Sequence, residues 1–157
     1  MKKRTLIMLI AIMLCMTGIM SWNVEVKAET TDEDIPLSEL MTDDAVVGYS
    51  QNQTWGVYYS DGYSIINKIS SSKAGVGGVT NANVKCTVTV NTILERKNSA
   101  GNWERVTSWV QTNQNAYSAV ISKSVTVASG YYYRVRCLHF AGSDSSSSFT
   151  SGLWIGN

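Results

Sequence analysis

The stretch "NVKCTVTVN", residues 83–91, alternates apolar and polar side chains, with Val84, Cys86, Val88 and Val90 on one side and Lys85, Thr87 and Thr89 on the other. A two-residue period of this kind suits a β-strand with one buried face and excludes an amphipathic helix. The strand continues through "TILERK", turns at "NSAGN", and returns through "WERVTSWVQ" as a hairpin partner. From Ala45 to Asn157 there are fourteen valines against three leucines, a bias toward β-branched residues that favours pleated surfaces. Further strands are expected in "YSIINKIS", "YSAVISKSVTVAS", "SGYYYRVRCLHFAG" and "SFTSGLWIG", with a shorter one in "TWGVYYSDG". The small-residue run "SSSKAGVGGVTNAN" reads as a loop, as does "SDSSSS", and the polar "TNQNA" reads as a break. About seven short strands predict an all-β, two-sheet antiparallel sandwich over residues 45–157.

The N-terminus carries a different message. "MKKR" is basic and leads into "TLIMLIAIMLCMTGIM", followed by Val26, Lys27 and Ala28. This is the pattern of a signal peptide over 1–28, cleaved before Glu29, and it predicts secretion. An uncleaved anchor is the rival, but the apolar run from Leu6 to Met20 falls short of the roughly 18 to 20 residues that span a bilayer. Stable membrane insertion after cleavage is therefore not expected. Residues 29–44, "ETTDEDIPLSELMTDD", hold seven acidic side chains and no basic one, which predicts a disordered leader kept extended by like charges. The remainder is basic, with nine Lys and Arg against four Asp and Glu.

Cleavage also changes the cysteine count. Cys15 leaves with the signal peptide, and Cys86 and Cys137 remain as an even pair in an oxidising compartment, the setting for a disulfide. Such a bridge would close a loop of about 50 residues and contribute roughly 4 kcal/mol through lost chain entropy. If Cys137 faces Cys86 across the interior, then Tyr133 and Val135 also point inward, and Tyr132, Arg134 and Arg136 point outward.

The spacing of Gly130, Tyr133, Val135 and Arg136 resembles the sixth strand of fibronectin type III and immunoglobulin-like domains. That resemblance implies a tyrosine corner at Tyr133, its hydroxyl bonded to nearby backbone. A cystine joining an early to a late strand, with Trp103 and Trp109 between, is similar to the immunoglobulin inter-sheet bridge. The direct hairpin at "NSAGN" departs from that topology. Signal peptide, acidic leader, the W-x-x-V-x-S-W hairpin and G-Y-Y-Y-R-V-R together resemble small secreted proteins of Gram-positive bacteria without assigned function.

Catalytic chemistry has little material here. His139 is the single histidine, and a disulfide would leave the secreted domain no free thiol, so neither a Cys-His pair nor a His/Cys metal site can be assembled. Glu95 and Glu104 flank a hairpin turn, where solvated charges are ordinary. No catalytic residue, metal or cofactor is expected, and the chain reads as a non-enzyme. Aromatic groups are plentiful instead, and they stack on sugar rings while offering polar edges. Trp55, Tyr58, Tyr59 and Tyr63 gather around one turn, and Tyr132, Arg134 and Arg136 form a cationic and aromatic stripe. These two groups are the candidate ligand-binding residues, for a glycan, a cell-wall polymer or a surface protein. Nucleic acid is a poor partner for a secreted chain of such modest charge. The second reading is an antimicrobial or toxin-like protein whose basic domain is restrained by the acidic leader.

Overall fold

The computed structural model describes residues 31–50 and 56–157, so the expected signal peptide and Trp55 lie outside the described residues. In chain order the elements are β1 (Asp32–Asp34), α1 (Leu37–Leu40), β2 (Val46–Tyr49), β3 (Tyr59–Ser70), β4 (Lys73–Lys97), β5 (Trp103–Thr126), β6 (Tyr131–Ala141), β7 (Asp144–Phe149) and β8 (Leu153–Ile155). The strands form one antiparallel sheet of eight, so the all-β expectation agrees with the structure at that level.

Two very long strands organise the sheet. β4 and β5 form the hairpin expected at "NSAGN" and run together almost end to end. The first part of β4 pairs with β3, which pairs with β2, whereas the later part pairs with β6, which carries β7 and β8. Register shifts between Asn81 and Val88 mark where the hairpin passes from one arm to the other. Extra residues of this kind bend a strand and increase its twist. The arms meet closely: a Cβ built on Gly62 of β3 would come within 2.7 Å of His139 Nδ1, and one on Gly78 within 2.6 Å of Cys137 Sγ. Val76, Val88, Val90, Leu94, Ile121, Val135 and Cys137 belong to the interior.

Several sequence expectations are corrected. "SSSKAGVGGVTNAN" is largely strand, and residues 74–80 of it are buried. Its glycines are there for space rather than for turning. Gly78 faces Thr92 and Cys137 of the other arm, while Gly75 and Gly77 face the opposite side of the sheet and receive Leu40, whose methyl carbons lie 2.5 Å from where either Cβ would stand. Glycine in a strand marks such close approach. The polar run at 112–116 does not break β5, which continues through it with Asn115 in the left-handed region (φ 50°). "SDSSSS" is mostly β7, paired along β6.

Residues 32–44, part of the expected disordered leader, are ordered through two attachments. β1 pairs with the end of β5, Asp32 opposite Val125 and Asp34 opposite Lys123. α1 then buries Leu40 completely, and Asn67 donates to the carbonyls of Glu39 (3.1 Å) and Leu40 (3.3 Å). One buried leucine and two hydrogen bonds offset the repulsion that acidic composition alone suggests.

The expected Cys86–Cys137 disulfide is absent, and both thiols are free. Cys137 lies opposite Thr92 in the β4–β6 register, and Cys86 is six positions earlier on β4. At about 3.3 Å per residue that is roughly 20 Å along the strand, far beyond the ~7 Å Cα separation a disulfide tolerates. The face assignment on β6 stands without it: Tyr133, Val135, Cys137, His139 and Ala141 are buried, and Tyr132 and Phe140 are exposed. On β4 the alternation keeps Val88 and Val90 inside, but Val84 is 41% exposed, in the irregular stretch between Asn81 and Val88 where the register with β5 shifts.

Candidate functional site

The outward face of β6 carries Tyr132, Arg134 and Arg136, as alternation along the strand predicts. Its organising residue is Glu95 of β4, the register partner of Arg134. Glu95 is only 6% exposed, and it accepts from Arg134 Nε at 2.7 Å and from Arg136 Nε at 3.0 Å. One carboxylate thus aims two guanidiniums. Among the described residues no other acceptor is bonded to either guanidinium, and the two side chains are 24% and 38% exposed. A planar guanidinium has five donors, and fixing one edge pre-organises the rest.

Aromatic rings frame the pair. Arg134 lies over the Trp103 ring at 4.6 Å and near the Phe149 ring at 5.8 Å, within the range where a cation is drawn to an aromatic face. Phe149 is the register partner of Arg136 and is 54% exposed. Beside them, Tyr132 (48% exposed) and Trp154 (41% exposed) face each other across β6 and β8 with centroids 5.2 Å apart. Trp103 reaches over Gly152 toward Tyr132: a Cβ on Gly152 would meet Trp103 Cη2 at 3.0 Å and Tyr132 Cδ1 at 3.7 Å. Four aromatic side chains and two guanidiniums therefore share one continuous outer surface.

Of the other predicted cluster, Trp55 lies outside the described residues and the three tyrosines are not brought together. Tyr58 and Tyr59 give their backbone N–H groups to Asp144 Oδ2 (2.7 and 3.0 Å), which ties the start of β3 to the β6–β7 turn and holds the Asp144 carboxyl below the usual range. The Tyr58 ring lies over Gly142, whose φ of 55° and tight cover suit glycine. Tyr59 is buried and bonds Ser50 Oγ at 2.8 Å, so it is not the exposed ligand contact expected of it. Tyr63 instead pairs with Tyr49 of β2, centroids 5.9 Å apart. Tyr133 is buried, and its hydroxyl donates to the Ala128 carbonyl at 2.8 Å.

His139 sits inside the protein. Nδ1 lies 2.8 Å from Thr80 Oγ1 and Nε2 lies 2.8 Å from Ser148 Oγ. Burial lowers its pKa to about 4, partly countered by the negative charge of Asp61. Such an imidazole is neutral at pH 7 and has no path to a substrate in solvent. Among the described residues, no three of His, Cys, Asp and Glu gather into a group able to hold a metal ion.

The acidic strand β1 makes its contacts elsewhere. Asp34 pairs with Lys123 at 2.8 Å, Glu33 lies 4.0 Å from Lys73, and Asp32 accepts from the Trp109 indole N–H. None of these touches Arg134 or Arg136.

Sequence reasoning missed Glu95, Trp103, Phe149 and Trp154 as members of the face. The usable signal was the spacing R-V-R opposite a strand with one acidic residue, since opposite charges favour direct cross-strand partners. A family described as "Family of unknown function (DUF6147)" matches residues 39–152. No curated protein and no solved structure matches the chain.

Proposed function

Since the chain belongs to DUF6147, a family of unknown function, we propose its role from its own surface: a secreted, non-enzymatic recognition module that binds an envelope polymer, a glycan or a surface protein. The observation that carries this is the Glu95-held pair of arginines, its outer donors unengaged by other described residues, set among four aromatic rings. Holding two cations in place before a ligand arrives lowers the ordering cost of binding. Secretion follows from the signal-peptide pattern of residues 1–28 and cleavage before Glu29. The two arms of the sheet, with Gly62 and Gly78 packed against His139 and Cys137, support reading the fold as a sandwich of immunoglobulin or fibronectin-like type. The test is a binding screen of the purified chain against glycans and cell-envelope fractions, with Tyr132→Ala and Trp154→Ala as controls. Loss of retention in both variants supports the reading, and undiminished retention removes this face from it.

The ion pair of Asp34 with Lys123 supports a second reading, a basic toxin-like domain restrained by its leader. Deleting residues 29–44 would also remove the buried Leu40, so charge neutralisation is the cleaner test. Asp32→Asn, Glu33→Gln and Asp34→Asn together should raise harm to anionic envelopes, in a manner blunted by salt. Unchanged potency ends that reading.

A further inference from the structure

The β6 face combines two demands that few ligands meet together. Its aromatic side is Tyr132 and Trp154, whose edge-on contact at 62° leaves ring surface open to solvent. Its cationic side is Arg134 and Arg136, one of whose charges Glu95 cancels, with Lys97 adjoining them 5.9 Å from the Trp103 ring. A polyphosphate or polyol-phosphate chain offers dense charge with no ring to stack. A neutral glycan offers rings but leaves the excess positive charge beyond Glu95 unmet. A chain of sugar rings with about one carboxylate per ring satisfies both, since the C–H face of a ring packs on an aromatic side chain and a carboxylate matches the guanidinium fork.

Resting on the recognition reading above, we propose that the β6 face binds an acidic polysaccharide. Its sugar rings lie on Tyr132 and Trp154, and its carboxylates meet the outer N–H groups of Arg134 and Arg136. The order along the strand, aromatic at Tyr132 and then cationic at Arg134 and Arg136, lets one extended chain run lengthwise over both. The acidic strand β1 does not compete, because its partners are Lys73, Lys123 and Trp109. Phe149 and Trp103 act differently from the other two rings: they flank Arg134 and restrict where its guanidinium can swing.

The experiment titrates the full secreted chain with polygalacturonate and with its methyl ester, which keeps the rings and removes the charge, following tryptophan fluorescence. Polyphosphate and phosphatidylglycerol vesicles serve as anions without sugar rings. The expected result is saturable binding of polygalacturonate and at least about tenfold weaker binding of the ester, the scale of one charge-assisted contact. Trp154→Ser and Arg136→Lys should each weaken binding about fivefold, and both positions are solvent-facing, so near-ultraviolet circular dichroism should show an intact fold. Equal binding of acid and ester overturns the carboxylate assignment while leaving a glycan-recognition role in place. Binding of polyphosphate or vesicles as tight as that of polygalacturonate, with no effect of Trp154→Ser, overturns the saccharide assignment. If neither pectic polymer binds, the inference fails, and the wider reading is then judged by the envelope screen alone.

Discussion

Acidification should weaken this protein through His139, by an amount the structure allows one to work out. The imidazole is fully buried between Thr80 and Ser148, and burial lowers its pKa to about 4. In the unfolded chain it takes up a proton near pH 6.5. Between those values the unfolded state binds more protons than the folded one, so the unfolding free energy rises with pH across this window. The contribution is intact above about pH 6.5 and is lost progressively as pH falls toward 4. At pH 4.5 the loss relative to pH 7.5 is on the order of 2–3 kcal/mol, a large part of a small domain's stability. Urea denaturation followed by tryptophan fluorescence, at both pH values, measures it. His139→Gln keeps a polar side chain but cannot titrate. The variant should be weaker at pH 7.5 by about 1–2 kcal/mol for imperfect hydrogen bonds, yet lose roughly 2–3 kcal/mol less than the natural protein on acidification. Asp144, whose carboxyl is held low by the Tyr59 and Tyr58 N–H groups, also favours the folded state above its unfolded pKa. That acid sensitivity is common to both proteins and cancels in the comparison. Equal pH slopes for the two proteins, or an imidazole titrating near 6.5 in the folded state, would refute the reasoning.

Other consequences can be checked on the same material. In the chain cleaved before Glu29, one thiol, the half-buried Cys86, should react readily with Ellman's reagent. Cys137, buried with its pKa pushed up to about 12, should react only on unfolding; zero reactive thiols in denaturant would mean the two cysteines had found each other after all. Leu40→Ala should cost about 2–4 kcal/mol, the range for a buried leucine, whereas a disordered leader would register no change in urea midpoint. Gly78→Ala should cost about 1–3 kcal/mol through overpacking, because its Cβ would stand 2.4 Å from Thr92 Oγ1, and a neutral result would mean the two arms are less tightly apposed.

What could be read from sequence, and what could not, follows from the range of the forces involved. The β6 faces were legible because a strand's two-residue period is local, and the hairpin at residues 98–102 because its turn residues lie between two β-rich runs. The glycine-rich start of β4 was not. Gly75, Gly77 and Gly78 look like turn material in one dimension, and only the arrival of Leu40 on one side and Cys137 on the other explains them. The leader was misjudged for the same reason, since its charge is local but Leu40's burial depends on a site made by β3, β4 and β5. The disulfide failed on register: two cysteines can share a strand-face rule and still lie several residues out of alignment. The candidate site fell between these cases. Tyr132, Arg134 and Arg136 were visible as a stripe, while Glu95 looked like a solvated turn charge until the β4–β6 pairing placed it beneath both arginines.

The most direct test follows the Nε–H signals of Arg134 and Arg136 by nuclear magnetic resonance while an envelope polymer retained in the screen is titrated in. Held by Glu95, these protons should be protected enough to observe. They should shift together with the Trp154 indole signal, leaving Tyr49 and Tyr63 undisturbed. Perturbations confined to Tyr49 and Tyr63, with both arginine signals unmoved at saturation, would place recognition elsewhere and contradict the role assigned to this face.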